Sequence, residues 1–351
     1  MKFLTCIIAA LCGMTGCRAQ SDKFKSVGVD EYEAVIANAD VIRLDVRTAA
    51  EYAEGHIAGA INIDVQQSDF EQQALAQLPK KNTIAVNCRS GRRSKKAAEI
   101  LANHGYSVVE LNDGYIGWVD AKKPVTTEEV DLFVVPDGTL VYMYCIKHGT
   151  VKMRIANRWV YVDPVADKIP PVTDYTQMPK ADVILITHEH PDHLDAKAIG
   201  QLTKNSTLLI VNPRSSELLG GRGEQMSNGD SRSIMEGWSV SAVPAYNNSP
   251  DKQQFHPKGR DNGYVLAVGG MNIYIAGDTE DIDEMQDLKD IDVAFLPCNL
   301  PFTMTPEQLA KAAGVIKPKV LFPYHYGQTV ISRTQDLLKD SGIDVRIRQY
   351  Q

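Results

Sequence analysis

Residues 183–195 read VILITHEHPDHLD, and no other stretch narrows the possible folds so far. The apolar run at 183–186 has the length and branching of a strand and stops at Thr187. His188 and His190 follow two residues apart, so an extended backbone points both to one side. Pro191 turns the chain. Asp192 and His193 then stand where a helix would begin, able to reach back toward the same point. Three of the chain's eight histidines gather here. Imidazoles and a carboxylate at one point suit a divalent ion, zinc first, with manganese or iron as alternatives. A chance polar turn is the competing reading, and it does not account for the crowding. The fold must therefore bring a strand end to a pocket.

The second part of the chain, 131–351, supplies strands for that purpose. DLFVVP, GTLVYMYCI, TVKMRIA and RWVYVDP come first. VILIT, TLLIV, WSVSAVP, GYVLAV, MNIYIAG, DVAFLP and KVLFPYH follow, separated by helical or polar segments. So many short strands, with helices entering midway, predict an αββα sandwich.

Residues 29–124 alternate differently. DEYEAVIAN, FEQQALAQL and SKKAAEILANHG read as helices, and VIRLDV, TIAVN and SVVEL as the strands between them. That order predicts a small α/β domain with a parallel sheet. Residues 18–28 read as a polar tether and 125–130 as a linker. Cys88 ends the strand TIAVN and precedes a helix, in the loop CRSGRRS. Backbone N–H groups and the helix dipole favour an anion there, and Arg89, Arg92 and Arg93 add positive charge. Gly91 allows a tight loop. Such surroundings favour a nucleophilic thiolate; a solvated basic loop is the plain alternative.

LDVRTAAEYAEGHIAGAINI, with VNCRSGRRSKKAAEILANHGYSVVELNDGYIGW after it, resembles the rhodanese family over residues 28–122. The resemblance implies that Cys88 carries a persulfide during sulfur transfer. It also implies that the loop, with Arg89, Arg92 and Arg93, binds an anionic donor such as thiosulfate. Asp45, Arg47 and His56 match positions read as structural. The H-x-H-x-D-H pattern of His188, His190, Asp192 and His193 resembles the metallo-β-lactamase superfamily, over about residues 131–349. That likeness implies one or two metal ions, with Asp278 of YIAGDTE between them and His325 of FPYHYG completing the second site. Asp192 is then a candidate to orient water and take a proton, and His148 to line the substrate pocket. The superfamily's further histidine is missing after VSAVPAYNNSP, where Tyr246 and Asn247 stand. His256 looping back, Asn247 lending an oxygen, or an incomplete first site are the open alternatives. The acidic run 278–284 reads as a solvated helix start beyond Asp278.

The N-terminus reads as an export signal, with Lys2 before an apolar stretch at 3–11. Its end, Met14-Thr15-Gly16-Cys17, resembles a bacterial lipobox. The likeness implies a signal peptide 1–17 and a lipid anchor on Cys17, holding the protein at a membrane that faces the periplasm or cell exterior. An ordinary secretory signal cut near Ala19 is the alternative. Cys145 and Cys298 lie in apolar runs and read as buried. A net charge of −7 and pI near 5.7 exclude the basic footprint of a nucleic-acid binder. Three functions follow: a metal-dependent hydrolase of a small molecule joined to a sulfurtransferase, an iron protein resembling persulfide dioxygenases, or a pair in which one domain only binds.

Overall fold

The computed structural model describes residues 23–349. The signal segment, the Cys17 anchor and residues 18–22 of the tether lie outside them. The rest of the segment read as a tether is partly ordered: Lys25–Val27 forms an edge strand. The N-terminal sheet is parallel throughout, in the order Lys25–Val27, Val108–Leu111, Ile84–Asn87, Ile42–Asp45, Ala60–Asn62. Each run expected as a strand is there, with helices Val29–Ile36, Phe70–Gln77 and Arg92–Asn103 between. The last of these buries Ala97, Ala98 and Leu101 on one face and leaves Arg92, Lys95, Lys96 and Glu99 to water. The linker is strapped down too, since Val125–Thr126 pairs antiparallel with His56–Ile57.

The C-terminal part is a sandwich of two seven-stranded sheets. One holds Leu140–Lys147, Thr150–Ile155, Arg158–Val162, Val183–Leu185 and Leu208–Val211; the other holds Asp261–Val268, Met271–Ile275, Val293–Pro297 and Val320–Tyr324. Their inner faces meet through Val141, Met143, Val151, Leu185, Leu266, Ile273, Phe295 and Phe322. Helix Ala196–Leu202 packs outside the first sheet and Pro306–Ile316 outside the second.

The strand Leu140–Lys147 explains how the two parts join. Its alternate residues Val141 and Met143 face the sandwich core, while Leu140, Tyr142, Tyr144 and Ile146 face the other way. That second face packs with Leu44, Val65, Phe70, Ala74 and Leu78 of the N-terminal domain in one core. The small domain thus covers part of the outer layer that helices cover elsewhere. Asp131, at the start of the sandwich, accepts hydrogen bonds from both Arg346 and Arg348, tying the linker to the last residues described.

Candidate functional site

The strands of the two parallel stretches all deliver their carboxyl ends to one edge of the sandwich, where ligands bind in such sheets. His188 and His190 follow Val183–Leu185, Asp278 follows Met271–Ile275, and His325 follows Val320–Tyr324. Asp192 and His193 sit in a turn, not in a helix: His193 and Leu194 N–H both donate to the His190 carbonyl, and the helix starts later, at Ala196, capped by Asp195. These side chains converge. His148, Asp192, His193 and His325 form one set whose ligating atoms lie within 4.8 Å of one another. His188, His190 and His256 form a second, and Asp278 joins His188 and His193.

The spacing distinguishes ligation from hydrogen bonding. Asp278 Oδ1 is 3.4 Å from His193 Nε2, and its Oδ2 is 3.4 Å from His256 Nε2 and 3.5 Å from His325 Nε2. Asp192 Oδ2 is 3.4 Å from His325 Nε2. Those separations are long for hydrogen bonds. They match the ~3.4 Å between two donors that share a tetrahedral ion at ~2.1 Å. His193 Nε2, both His325 nitrogens and Asp278 Oδ1 are buried with no hydrogen-bond partner, which a buried polar atom rarely tolerates. The residues therefore fit one ion among His188, His190 and His256, another among Asp192, His193 and His325, and Asp278 between them.

Outer partners fix which nitrogen faces inward. His193 Nδ1 donates to Asp163 Oδ2 at 2.8 Å, and Thr187 Oγ1 donates to the same oxygen at 2.6 Å. Thr187 Oγ1 in turn accepts from His188 Nδ1 at 3.0 Å. His256 Nδ1 donates to Asp261 Oδ2 at 3.1 Å. Each contact turns Nε2 inward, and that of His188 lies 3.0 Å from His190 Nδ1. Asp163 and Asp261 went unnoticed in the sequence, although both stand at strand ends, in WVYVDP and RDNGY.

Three members of the site, His148, Asp163 and His325, hold φ between +44° and +48°. Non-glycine residues there are strained, and such strain gathers at functional positions. Gly149 permits the approach of the 148–149 turn, since a Cβ on it would lie 2.9 Å from His193 Cε1.

His256 is buried and stands where the missing histidine was sought. Asn247 stands beside it: its amide nitrogen donates to the Lys252 and Phe302 carbonyls and its N–H to the His256 carbonyl, while its Oδ1 is buried with no hydrogen-bond partner. The asparagine braces the loop that returns His256. Glu280 braces it as well. Read from sequence as solvated, it is buried, and it accepts from Ser249 N–H and Oγ and pairs with Lys252. His148 also lies closer in than a pocket lining. Its Nε2 donates to Asp192 Oδ2 at 3.0 Å and its ring lies 3.7 Å from that of His325, so it stands against the ligand set as the bonded neighbour of Asp192.

Burial disfavours charge on His193, but Asp278, Asp192 and Asp163 outweigh it and raise its pKa to about 10, so Nε2 keeps a proton that a bound ion would displace. Burial and the neighbouring imidazoles push His188 and His190 below the usual histidine value. Burial alone would raise Asp192 and Asp278; the surrounding histidines reverse this and hold both below the carboxylate range.

Cys88 lies apart, in the N-terminal domain, buried beneath its loop with Sγ 3.3 Å from Ser94 Oγ. Ser94 Oγ donates to Glu110 at 2.6 Å. Gly91 has φ +83°, and a Cβ there would lie 2.1 Å from the Asn112 carbonyl oxygen, so only glycine fits. Arg89 and Arg92 are exposed beside the loop. Arg93 is not available for an anion: it forms two 2.7 Å bonds to Glu51, itself in the capping box of Ala49–Ala53. Asp45 and Arg47 form a buried pair, and His56 bonds the Tyr52 and Glu128 carbonyls.

Residues 158–326 match the family described as Beta-lactamase superfamily domain, and residues 28–121 match Rhodanese-like domain. A UPF0173 metal-dependent hydrolase of Thermococcus onnurineus is 31% identical over 185 residues, 49% of this chain and 79% of that protein. One from a Geobacillus species is 33% identical over 190 residues, 51% of this chain and 82% of that protein. A crystal structure from Parabacteroides distasonis, whose name also carries the words metal-dependent hydrolase, is 51% identical with a TM-score of 0.61, over 64% of this chain and all of that one.

Proposed function

The chain belongs to the UPF0173 metal-dependent hydrolases of the beta-lactamase superfamily, with a rhodanese-like domain ahead of that unit, and from this premise we propose that it hydrolyses a small ester, phosphodiester, lactone or related bond while Cys88 transfers sulfur. The observation that carries the hydrolase half is the convergence of His188, His190, His193, His256, His325, Asp192 and Asp278 at ligand spacing. Zinc is the ion this donor set suits best. When bound, it would supply Lewis-acid polarisation and a nucleophile at neutral pH. Asp192, 30% exposed at the side chain, is the carboxylate open to substrate, while Asp278 is 4% exposed. Asp192 takes the proton as the nucleophile adds. Asp192 then returns that proton to the leaving group, its Oδ2 steered by the bond from His148 Nε2.

In the sulfur half, Cys88 Sγ bonds to the outer sulfur of thiosulfate, and the S–S electron pair leaves with sulfite. The persulfide then passes its outer sulfur to an acceptor thiolate, and Cys88 keeps the electron pair of the broken bond. Arg89 and Arg92 supply positive charge for the anionic donor. Lys2, the apolar stretch and the Met14–Cys17 sequence support export and a lipid anchor on Cys17; labelled palmitate should enter the wild type and not Cys17→Ala.

The deciding experiment measures metal content and turnover of ester, phosphodiester and lactone panels on the purified protein. Zinc or manganese with hydrolysis is the expected result. Iron with persulfide-dependent oxygen uptake would replace the hydrolase reading.

A further inference from the structure

Glu110 is fully buried, and a carboxylate so placed is ordinarily paired with a cation. Among the described residues its bonded partners are two hydroxyls instead, Ser94 Oγ at 2.6 Å from Oε1 and Ser26 Oγ at 2.5 Å from Oε2. It stands on Val108–Leu111, the strand beside the one that leads into Cys88. Ser94 lies in the first turn of Arg92–Asn103. Its Oγ is also 3.3 Å from Cys88 Sγ, so one buried hydroxyl joins thiol and carboxylate. A hydroxyl has one proton to give, and lone pairs with which to accept. An ionised carboxylate only accepts. The Ser94 proton is therefore committed to Glu110, and its lone pair faces the Cys88 S–H. The other charged groups around the thiol take no proton from it. Arg93 is clamped by Glu51, and Arg89 and Arg92 are exposed on the loop. Lys95 is bound to Asn112, and Asp45 to Arg47. Burial, with Asp45 and Glu110, pushes the Tyr32 hydroxyl up and keeps it neutral.

We propose that Glu110 is the proton acceptor for Cys88, reached through Ser94. The inference rests on the sulfurtransferase reading above for what the thiolate then does. The Cys88 S–H bond breaks and its proton goes to Ser94 Oγ, while the Ser94 proton passes to Glu110 Oε1. Ser94 then accepts from the Glu110 carboxyl and donates to the thiolate, the mirror of its starting arrangement. One negative charge moves from carboxylate to sulfur and none is added, which matters because two buried anions side by side would repel. The helix N-terminus and the arginines steady the thiolate once it exists. When the persulfide has passed on its outer sulfur, Cys88 is left as a thiolate and takes the proton back along the same path.

The test is the rate at which iodoacetamide alkylates Cys88 in the full chain between pH 6 and 8, read on its own peptide by mass spectrometry and so apart from Cys145 and Cys298. A proton that moves within the site ignores the solvent, so the wild-type rate should change by less than about threefold over that range. A thiol that ionises into water instead gains up to about tenfold per pH unit. Glu110→Gln and Ser94→Ala should each follow that second course and react roughly tenfold or more slowly than the wild type at pH 6. Ser94→Thr keeps the hydroxyl and should restore the flat profile, and it decides with Ser94→Ala if Glu110→Gln does not fold. Glu99→Gln, exposed on the same helix, should leave the profile unchanged. A wild-type rate that climbs steeply with pH, or Glu110→Gln and Ser94→Ala as fast as the wild type at pH 6, overturns the inference. Sulfite release from thiosulfate is followed alongside and should show the same profile. Alkylation with the expected profile but without sulfite release removes the sulfurtransferase reading and leaves the proton path standing. A wild-type Cys88 that neither reagent modifies overturns both.

Discussion

Asp163 does more at a single position than any ligand. One carboxylate accepts from His193 Nδ1, Thr187 Oγ1 and Thr187 N–H, and through Thr187 it orients His188. It therefore serves both halves of the ligand set while standing outside it. Asp163→Asn keeps the shape but can no longer accept at both oxygens. Metal affinity should fall by about 10–100-fold, measured by competition with a chelator. Asp163→Asn with unchanged affinity would mean that packing alone sets the ring orientations. The histidine cluster and the loop cysteine were legible in the sequence because they are contiguous. Asp163, Asp261 and the ligand-like place of His148 were not, since each is a lone polar residue whose meaning comes from a partner on a distant strand.

Among the elements, the Cys88 loop is held by the short helix Ala49–Ala53. Thr48 and Glu51 close its capping box, and Glu51 clamps Arg93 in the first turn of Arg92–Asn103. The hydrogen bond from Arg93 holds the Glu51 pKa at about 2, against burial and with help from Thr48. A carboxylate lowered on folding stabilises fully above its unfolded value of ~4.3. That contribution fades as pH falls from there toward 2. The pair is about a quarter exposed, so it is worth about 0.5–1 kcal/mol. Glu51→Gln should lose that amount at pH 7 and show a flatter stability profile between pH 5 and 2, read by urea denaturation at each pH. Strands were the most legible elements here. Those buried on both faces, such as Leu140–Lys147, read as unbroken apolar runs. The turn at 190–194 and the buried Glu280 were misjudged because polar composition looks alike whether water or a loop satisfies it.

At the scale of the molecule, two candidate sites share one body. Cys88 and the metal ligands lie in different domains and share no residue, so Cys88→Ser should abolish sulfur transfer from thiosulfate and leave hydrolysis unchanged. Loss of both in that variant would show the sites to be coupled. Stability is a different matter, because Leu140, Tyr142, Tyr144 and Ile146 belong to the same core as the N-terminal helices. Burying an aliphatic side chain of this kind is worth about 1.5–3 kcal/mol. The full chain should unfold in one calorimetric transition, and residues 131–351 expressed alone should aggregate. Two well-separated transitions would show the shared core to be weak.

The order of the ligands along the chain has a consequence for biosynthesis. His148 comes early in the sandwich and His325 close to its end, and the His325 N–H donates to the His148 carbonyl. A growing polypeptide released only as far as Asp278 carries His188, His190 and His256 but lacks His325 of the other set. That ligand set is therefore complete only when the last parallel strands are in place, and a chain truncated before His325 should retain less metal than the full one.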